Sequence, residues 1–131
     1  MVRLGREFDA LRVENARVHL QSCTVGSFGT GTGGCAISAT SAALTAVDCA
    51  FTGAASASIP GPAVRLRTSQ LQGNQVTLTG GAQLFGLPTA AALDLDATSA
   101  AWLGDAYLLS NNTGCAIVGG GGGWLARTTV S

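Results

Sequence analysis

Short stretches in which apolar residues alternate with polar or small ones run along the whole chain. This period of two is typical of β-strands rather than helices. Five of these stretches begin with an alanine followed by a larger apolar residue, and that second residue recurs every 24 to 29 positions. The stretches are residues 10–13, 36–39, 63–66, 92–95 and 116–119. A repeat of this length predicts a solenoid in which each repeat forms one turn.

Each repeat contains further apolar residues at fixed distances from its start. The sets, at offsets of seven, nine, twelve and fourteen residues, are Val18, Leu44, Leu71 and Ala100; Leu20, Ala46, Gly73 and Trp102; Cys23, Cys49 and Val76; and Val25, Phe51, Leu78 and Tyr107. They predict three short strands per turn, stacked about 4.8 Å from their counterparts. The predicted fold is therefore an all-β parallel β-helix of about four to five coils. Trp102 and Tyr107 are expected in its core.

Asp105 falls where the third set requires an apolar residue. A shifted register in that coil would explain it and would move Ala106 and Leu108 inward. The chain is expected to be a single domain over residues 1–131, with a lead-in at 1–9, coils over 10–117 and an incomplete last coil at 118–131.

Two other interpretations concern the region before and within the second repeat. The alanine-rich stretch from Cys35 to Cys49 could form a helix, and Gly29, Gly31 and Gly34 match G-x-G-x-x-G. A dinucleotide site needs a strand before this motif, a helix after it and an acid about 20 residues on. The glycines also fall at the same phase as the loops of later repeats. We expect a loop between strands.

Charge and hydropathy exclude two classes of partner. Seven basic and seven acidic residues give a net charge of zero, and only 11% of residues are charged. Nucleic-acid binding requires a basic surface, so none is expected. Polar residues and glycines interrupt every apolar run, so no membrane span is expected. The first residues lack the apolar segment of a secretory signal. The chain is then either intracellular or a piece of an exported protein.

Residues 18–25, 44–53 and 76–80 carry a family resemblance. A strand, a tight polar turn and another strand recur once per coil, and Asp48 and Asn74 fall at the turn. This pattern resembles the repeats of the pectin-lyase-like right-handed parallel β-helix superfamily. The resemblance implies a right-handed coil and a carbohydrate-related or structural role, and it favours an extracellular or cell-surface location.

The resemblance also directs attention to the outer face of the first strand in each coil. Arg65, Arg67, Asp94 and Asp96 lie there. In pectate lyases of this superfamily, acids on that sheet hold calcium and an arginine acts on the polysaccharide. The plainer interpretation is two cross-strand ion pairs, Arg65 with Asp94 and Arg67 with Asp96. Phe85, in a loop near the Phe28 loop, is a further candidate for glycan contact. No metal, cofactor or catalytic set is predicted.

The cysteines and the single histidine are expected to be structural. Cys23 and Cys49 share an inward position on neighbouring coils, where they either stay free thiols or form a bridge. Cys35 and Cys115 are three coils apart and cannot bridge within the chain. His19 alternates with apolar residues and should face solvent above Thr45 and Gln72.

Three functions are consistent with this pattern. The first is a non-catalytic structural module that stacks end to end or forms part of a larger β-helix, because neither end has an evident cap. The second is a polysaccharide lyase or hydrolase that uses the arginines and aspartates of the first sheet. The third is polysaccharide binding. The expected partners are further copies of the chain and possible polysaccharides.

Overall fold

A computed structural model describes residues 2–4, 9–27, 34–55, 60–82, 90–110 and 116–131. Its strands are β1 (Val2–Leu4), β2 (Leu11–Glu14), β3 (Arg17–Gln21), β4 (Thr24–Gly26), β5 (Ile37–Thr40), β6 (Ala43–Thr52), β7 (Val64–Arg67), β8 (Gln70–Thr79), β9 (Leu93–Leu95), β10 (Ala100–Gly104), β11 (Tyr107–Leu109), β12 (Ile117–Gly119), β13 (Gly122–Ala126) and β14 (Thr129–Val130). The described residues contain no helix, and therefore none with the length and apolar character to span a bilayer.

The strands stack as the repeat predicts. In the first sheet the order is β1-β2-β5-β7-β9-β12, and every pair after the first is parallel. The second residues of the five predicted segments lie directly over one another: Leu11, Ile37, Val64, Leu93 and Ile117. The second sheet holds the remaining strands of each turn. The chain is thus an all-β parallel β-solenoid, and β5 and β6 occupy the stretch for which a helix was the alternative.

The solenoid has about three complete turns, slightly fewer than the predicted four to five, with a further turn at each end that is stacked on one side only. The turns that begin at β5, β7 and β9 have neighbours on both sides, and their inward residues are buried. The first turn and the last are stacked on one side only. Their strands are accordingly more exposed, most of all in β13 and β14.

Two corners in each of the first three turns, and one corner in each of the last two, use a non-glycine residue with positive φ. Between the first and second strands these residues are Asn15, Ser41 and Thr68, and between the second and third they are Ser22, Asp48, Gln75, Asp105 and Arg127. All have φ near +50°, a conformation that sharply redirects the chain and that L-residues seldom adopt. The polar turn predicted at Asp48 is confirmed. The one predicted at Asn74 lies one residue later, at Gln75.

The core consists of ladders of inward residues. One ladder contains Val25, Phe51, Leu78 and Leu108, which occupy equivalent positions on successive strands. Phe51, Leu78 and Leu108 have no solvent exposure. Burial of one such side chain contributes about 1.5–3 kcal/mol, so the ladders supply the stabilisation that strands of three to five residues lack on their own.

The fourth turn differs from the prediction in its register. Ala101, rather than Ala100, pairs with Leu71, and Leu103, rather than Trp102, pairs with Gly73. The turn at residues 96–99 is one residue longer than its counterparts, and the whole following segment is therefore displaced by one position. Trp102 and Tyr107 point outward, with 38% and 55% of their surface exposed. Their expected place in the core was wrong.

The same displacement explains Asp105. Ala106 and Leu108 are 1% and 0% exposed, as the shifted register predicts, while Asp105 lies at a corner. Side chains alternate between the two faces of a strand, so a slip of one residue moves every side chain of the segment to the other face of the sheet.

The lead-in contributes a strand that the repeat does not predict. β1 pairs antiparallel with β2, and Leu4 lies opposite Leu11. It therefore covers the outer edge of the first sheet. β3 and β4 have no such cover among the described residues, since both pair with β6 alone.

Candidate functional site

The predicted charged residues of the first sheet meet on its outer face. β7 and β9 place Arg65 directly beside Asp94, and Arg65 Nε lies 3.2 Å from Asp94 Oδ2. Arg67 also turns toward Asp94, with Nη2 at 2.8 Å from Oδ2 and Nη1 at 3.3 Å from Oδ1. The expected pair of Arg65 and Asp94 is present. Arg67, however, contacts Asp94 rather than Asp96, so one carboxylate is shared by two guanidinium groups.

The contact between Asp94 and its two arginines changes the pKa of Arg67. The hydrogen bond to Asp94 raises the pKa of Arg67 above its ordinary value, against the smaller effect of partial burial. All three side chains remain partly exposed, so solvent screening leaves each pair with well under about 1 kcal/mol of stabilisation. The contacts orient the side chains more than they stabilise the fold.

Asp96 has a different role from the one predicted for it. Its Oδ1 accepts hydrogen bonds from Ser99 Oγ at 2.6 Å and from the Thr98 amide at 3.1 Å, and its Oδ2 accepts one from the Thr68 amide at 3.0 Å. These bonds, above all that from Ser99, lower the pKa of Asp96 to about 2. Asp96 holds the longer turn at 96–99 in place against the corner of the turn below.

The two aspartates are therefore occupied by donors of their own chain. A calcium site uses six to eight oxygen ligands, and among the described residues no group of three or more His, Cys, Asp or Glu side chains is placed to hold a metal. Phe85 and the Phe28 loop, the other predicted glycan contacts, lie outside the described residues, as do Cys115 and most of the G-x-G-x-x-G motif.

The described cysteines are free thiols: Cys23, Cys35 and Cys49. Cys23 and Cys49 lie on neighbouring turns, as predicted, and each donates its S–H to a carbonyl two residues before it, at 3.1 Å and 3.2 Å. The free-thiol interpretation of this pair is confirmed. Burial raises the pKa of Cys35 to about 12, so its thiol stays protonated and is a poor nucleophile.

The outer face of the second sheet holds a groove that the sequence repeat does not predict. The outward residues His19, Thr45, Gln72, Trp102 and Trp124 occupy equivalent positions on β3, β6, β8, β10 and β13. His19 faces solvent above Thr45 and Gln72 as predicted. Trp102 and Trp124 are adjacent in this row and line the same groove of about 480 Å³. The extra residue between β9 and β10 was the signal that could have placed Trp102 outside.

An ion pair closes one side of this groove. Arg127 donates to Asp105 from Nε at 2.6 Å and from Nη2 at 2.9 Å. The hydrogen bond lowers the pKa of Asp105 and raises that of Arg127. Both residues occupy the corner between the second and third strands of their turns, so the pair links the last two turns at the edge of the groove.

No protein-family model, curated protein or solved structure matches this chain. The parallel β-solenoid is established by the strand pairing alone, and the function must be argued from its surfaces.

Proposed function

We propose that the chain is a non-catalytic structural module that associates end to end with further β-solenoid. The observation that carries the proposal is the exposed cross-section of the core at the last turn. Leu125 and Val130 lie over the buried Leu103 and Leu108 and continue their ladders. They are nevertheless 41% and 49% exposed, because no described strand lies above them.

The opposite end offers a complementary surface. Val18, Leu20 and Val25 are inward residues of β3 and β4 but are only partly buried. Among the described residues, both ends therefore combine an apolar centre with strands that have one unpaired edge, β3 and β4 at this end and β13 and β14 at the other, and such edges readily accept another strand. Pairing of one end with the other kind of end would make a head-to-tail interface, which can extend without closing.

The contacts of the two aspartates on the first sheet support a structural role. Asp94 and Asp96 are held by arginines and turn residues, an arrangement that orders the strands. The resemblance to the pectin-lyase-like superfamily belongs to the same proposal. It is supported by the left-handed corner that recurs between the second and third strands of each turn, and it implies fold and assembly rather than lyase activity.

Light scattering across a dilution series, with electron microscopy of the concentrated sample, tests the proposal. We expect the mass of the wild-type chain to rise with concentration and filaments to form. Val130→Arg places a charge in the exposed core and should weaken association at least about tenfold.

Thr129→Arg is the matched control, because Thr129 is the neighbouring residue, lies opposite the outward Tyr107 and points away from the core. It should associate as the wild type does. A wild-type chain that stays monomeric at every concentration, or two arginine variants that behave alike, would contradict the proposal.

A further inference from the structure

The groove on the second sheet has two features that the structural role does not explain. Trp102 and Trp124 expose 38% and 67% of their surface, although a chain that needs only to stack its turns gains nothing from large apolar rings on its outer face. They lie on neighbouring parallel strands, about 4.8 Å apart along the solenoid axis. Together they form a continuous aromatic strip parallel to that axis.

The residues beside the two indoles leave them accessible. Gly104 and Ala126 follow on the outward side of the same strands, and neither has a side chain long enough to cover a ring. The groove continues from the indoles over Gln72 and Asn74 to Thr45. A ligand lying along the axis would thus cross aromatic rings first and amide groups next.

The polar groups of the groove are available to a ligand. Within the described part of the chain, the side-chain amides of Gln72 and Asn74 have no hydrogen-bond partner. Each amide can donate and accept, which matches the hydroxyl groups of a sugar. Apolar contact with a few convergent polar groups is the usual composition of a specific ligand site.

The charge of the groove selects the class of ligand. Of the described residues that line it, Arg127 alone is charged, and Asp105 neutralises it through two hydrogen bonds. A nucleic acid or an acidic polysaccharide would need unpaired cationic groups for its negative charges. The groove offers none, so a neutral ligand fits it best.

We propose that this groove binds a neutral polysaccharide whose chain runs along the solenoid axis. The apolar faces of its sugar rings pack on Trp102 and Trp124, where C–H groups meet the negative faces of the indoles. Its hydroxyl groups exchange hydrogen bonds with Gln72 and Asn74. The proposal is independent of end-to-end association, since the groove lies on the side of the solenoid.

Intrinsic fluorescence gives a direct test, because Trp102 and Trp124 are the only tryptophans of the chain. Soluble neutral glucans, mannans and xylans are titrated into the protein, with polygalacturonate as the acidic comparison. We expect one neutral polysaccharide to shift the emission and to protect both indoles from acrylamide quenching. Trp124→Ala should weaken that binding about tenfold or more, as measured by calorimetry.

Two further variants keep the result interpretable. Trp102→Phe retains a ring at the less exposed position and should bind more weakly than wild type but better than Trp124→Ala, with an unchanged circular dichroism spectrum. Tyr107→Ala removes an exposed aromatic residue that does not line the groove and should bind as wild type does.

Three results would overturn the proposal: no emission change with any neutral polysaccharide, preference for polygalacturonate, or equal loss of binding in Tyr107→Ala. The titrations use a protein concentration below the onset of association, because Trp124 lies on β13, where a further copy would stack.

Discussion

A single carboxylate, that of Asp96, determines how the longest of the tight turns between first and second strands is held. Asn15, Ser41 and Thr68 turn the chain at the equivalent corners with a positive φ. At 96–99 the turn instead closes on Asp96, which accepts bonds from Ser99, from Thr98 and from the amide of Thr68 in the turn below. The hydrogen bonds of the Asp96 side chain thus take the place of the positive-φ residue that makes the turn at the other corners.

The lowered pKa of Asp96 makes this role measurable. A carboxylate whose pKa is about 2 when folded and near 3.9 when unfolded stabilises the fold above the unfolded value. That contribution is lost as the pH falls through the folded value. We therefore expect the difference in melting temperature between wild type and Asp96→Asn to be largest at pH 5 and to shrink between about pH 4 and 2.

Other acidic groups titrate alike in both proteins and cancel in this difference. Titration of the Asp96 carboxyl by NMR provides the independent check, with an inflection near the value expected for the folded chain. A gap in melting temperature that is the same at pH 5 and at pH 2 would show that Asp96 does not act through its charge.

At the scale of the strands, the sequence predicts the stacking but not the register of the fourth turn. Leu11, Ile37, Val64, Leu93 and Ile117 were predicted to stack, and they do. Periodicity could find them because each is large, apolar and preceded by an alanine. It could not place Trp102 correctly, because one extra residue in a polar turn reverses the faces of the strand that follows.

The sequence likewise predicts part of the charged cluster on the first sheet and none of the aromatic groove on the second. The repeat placed Arg65 beside Asp94, because both are set by strand stacking. It did not predict that Arg67 would reach Asp94 as well, since the direction of a long, flexible side chain is not contained in its position along a strand. The groove was missed because it depends on the same displaced register.

Size complementarity between neighbouring strands gives a second prediction. Gly73 lies opposite Leu103 in an inward ladder, and a Cβ at Gly73 would approach Leu103 Cδ2 to 2.8 Å. We expect Gly73→Ala to destabilise the wild-type chain by about 1–3 kcal/mol. In a Leu103→Ala background the same substitution should cost less, because the leucine methyl group is gone and the remaining close contact is with Val76 Cγ2 at 3.0 Å. Denaturant titration of the four proteins measures the coupling.

Gly104→Ala is the control for this cycle. A Cβ at Gly104 would meet only the Asn74 amide at 3.9 Å, so this substitution should stabilise the strand slightly, by about 0.5–1 kcal/mol. If the effects of Gly73→Ala and Leu103→Ala on the free energy of unfolding are additive, the neighbouring core side chains can move to accept the extra methyl group. Small and large residues are then not matched across this ladder.

For the whole molecule, the difference between its middle and its ends predicts how it unfolds and assembles. In a solenoid each turn contacts only its neighbours, so stability is close to a sum of nearest-neighbour terms. The central strands β6 and β8 have partners on both sides, whereas β13 and β14 pair on one side only. Amides of the central strands should exchange with solvent most slowly and those of the last turn fastest.

The hydrogen-exchange rates of individual amides in the last turn should then show whether another chain stacks on it. The amides of Gly122 and Thr129 donate to Ser99 and Ala106 in the turn below. Successive backbone groups of a strand point to opposite sides, so the amides of Leu125 and Val130 face the open edge. In dilute solution we expect these two to exchange rapidly while Gly122 and Thr129 stay protected. At high concentration, association through the ends should slow Leu125 and Val130 specifically. If association protects other surfaces and leaves these two amides fast, the chains meet through their sides, and the open end of the solenoid is not the interface.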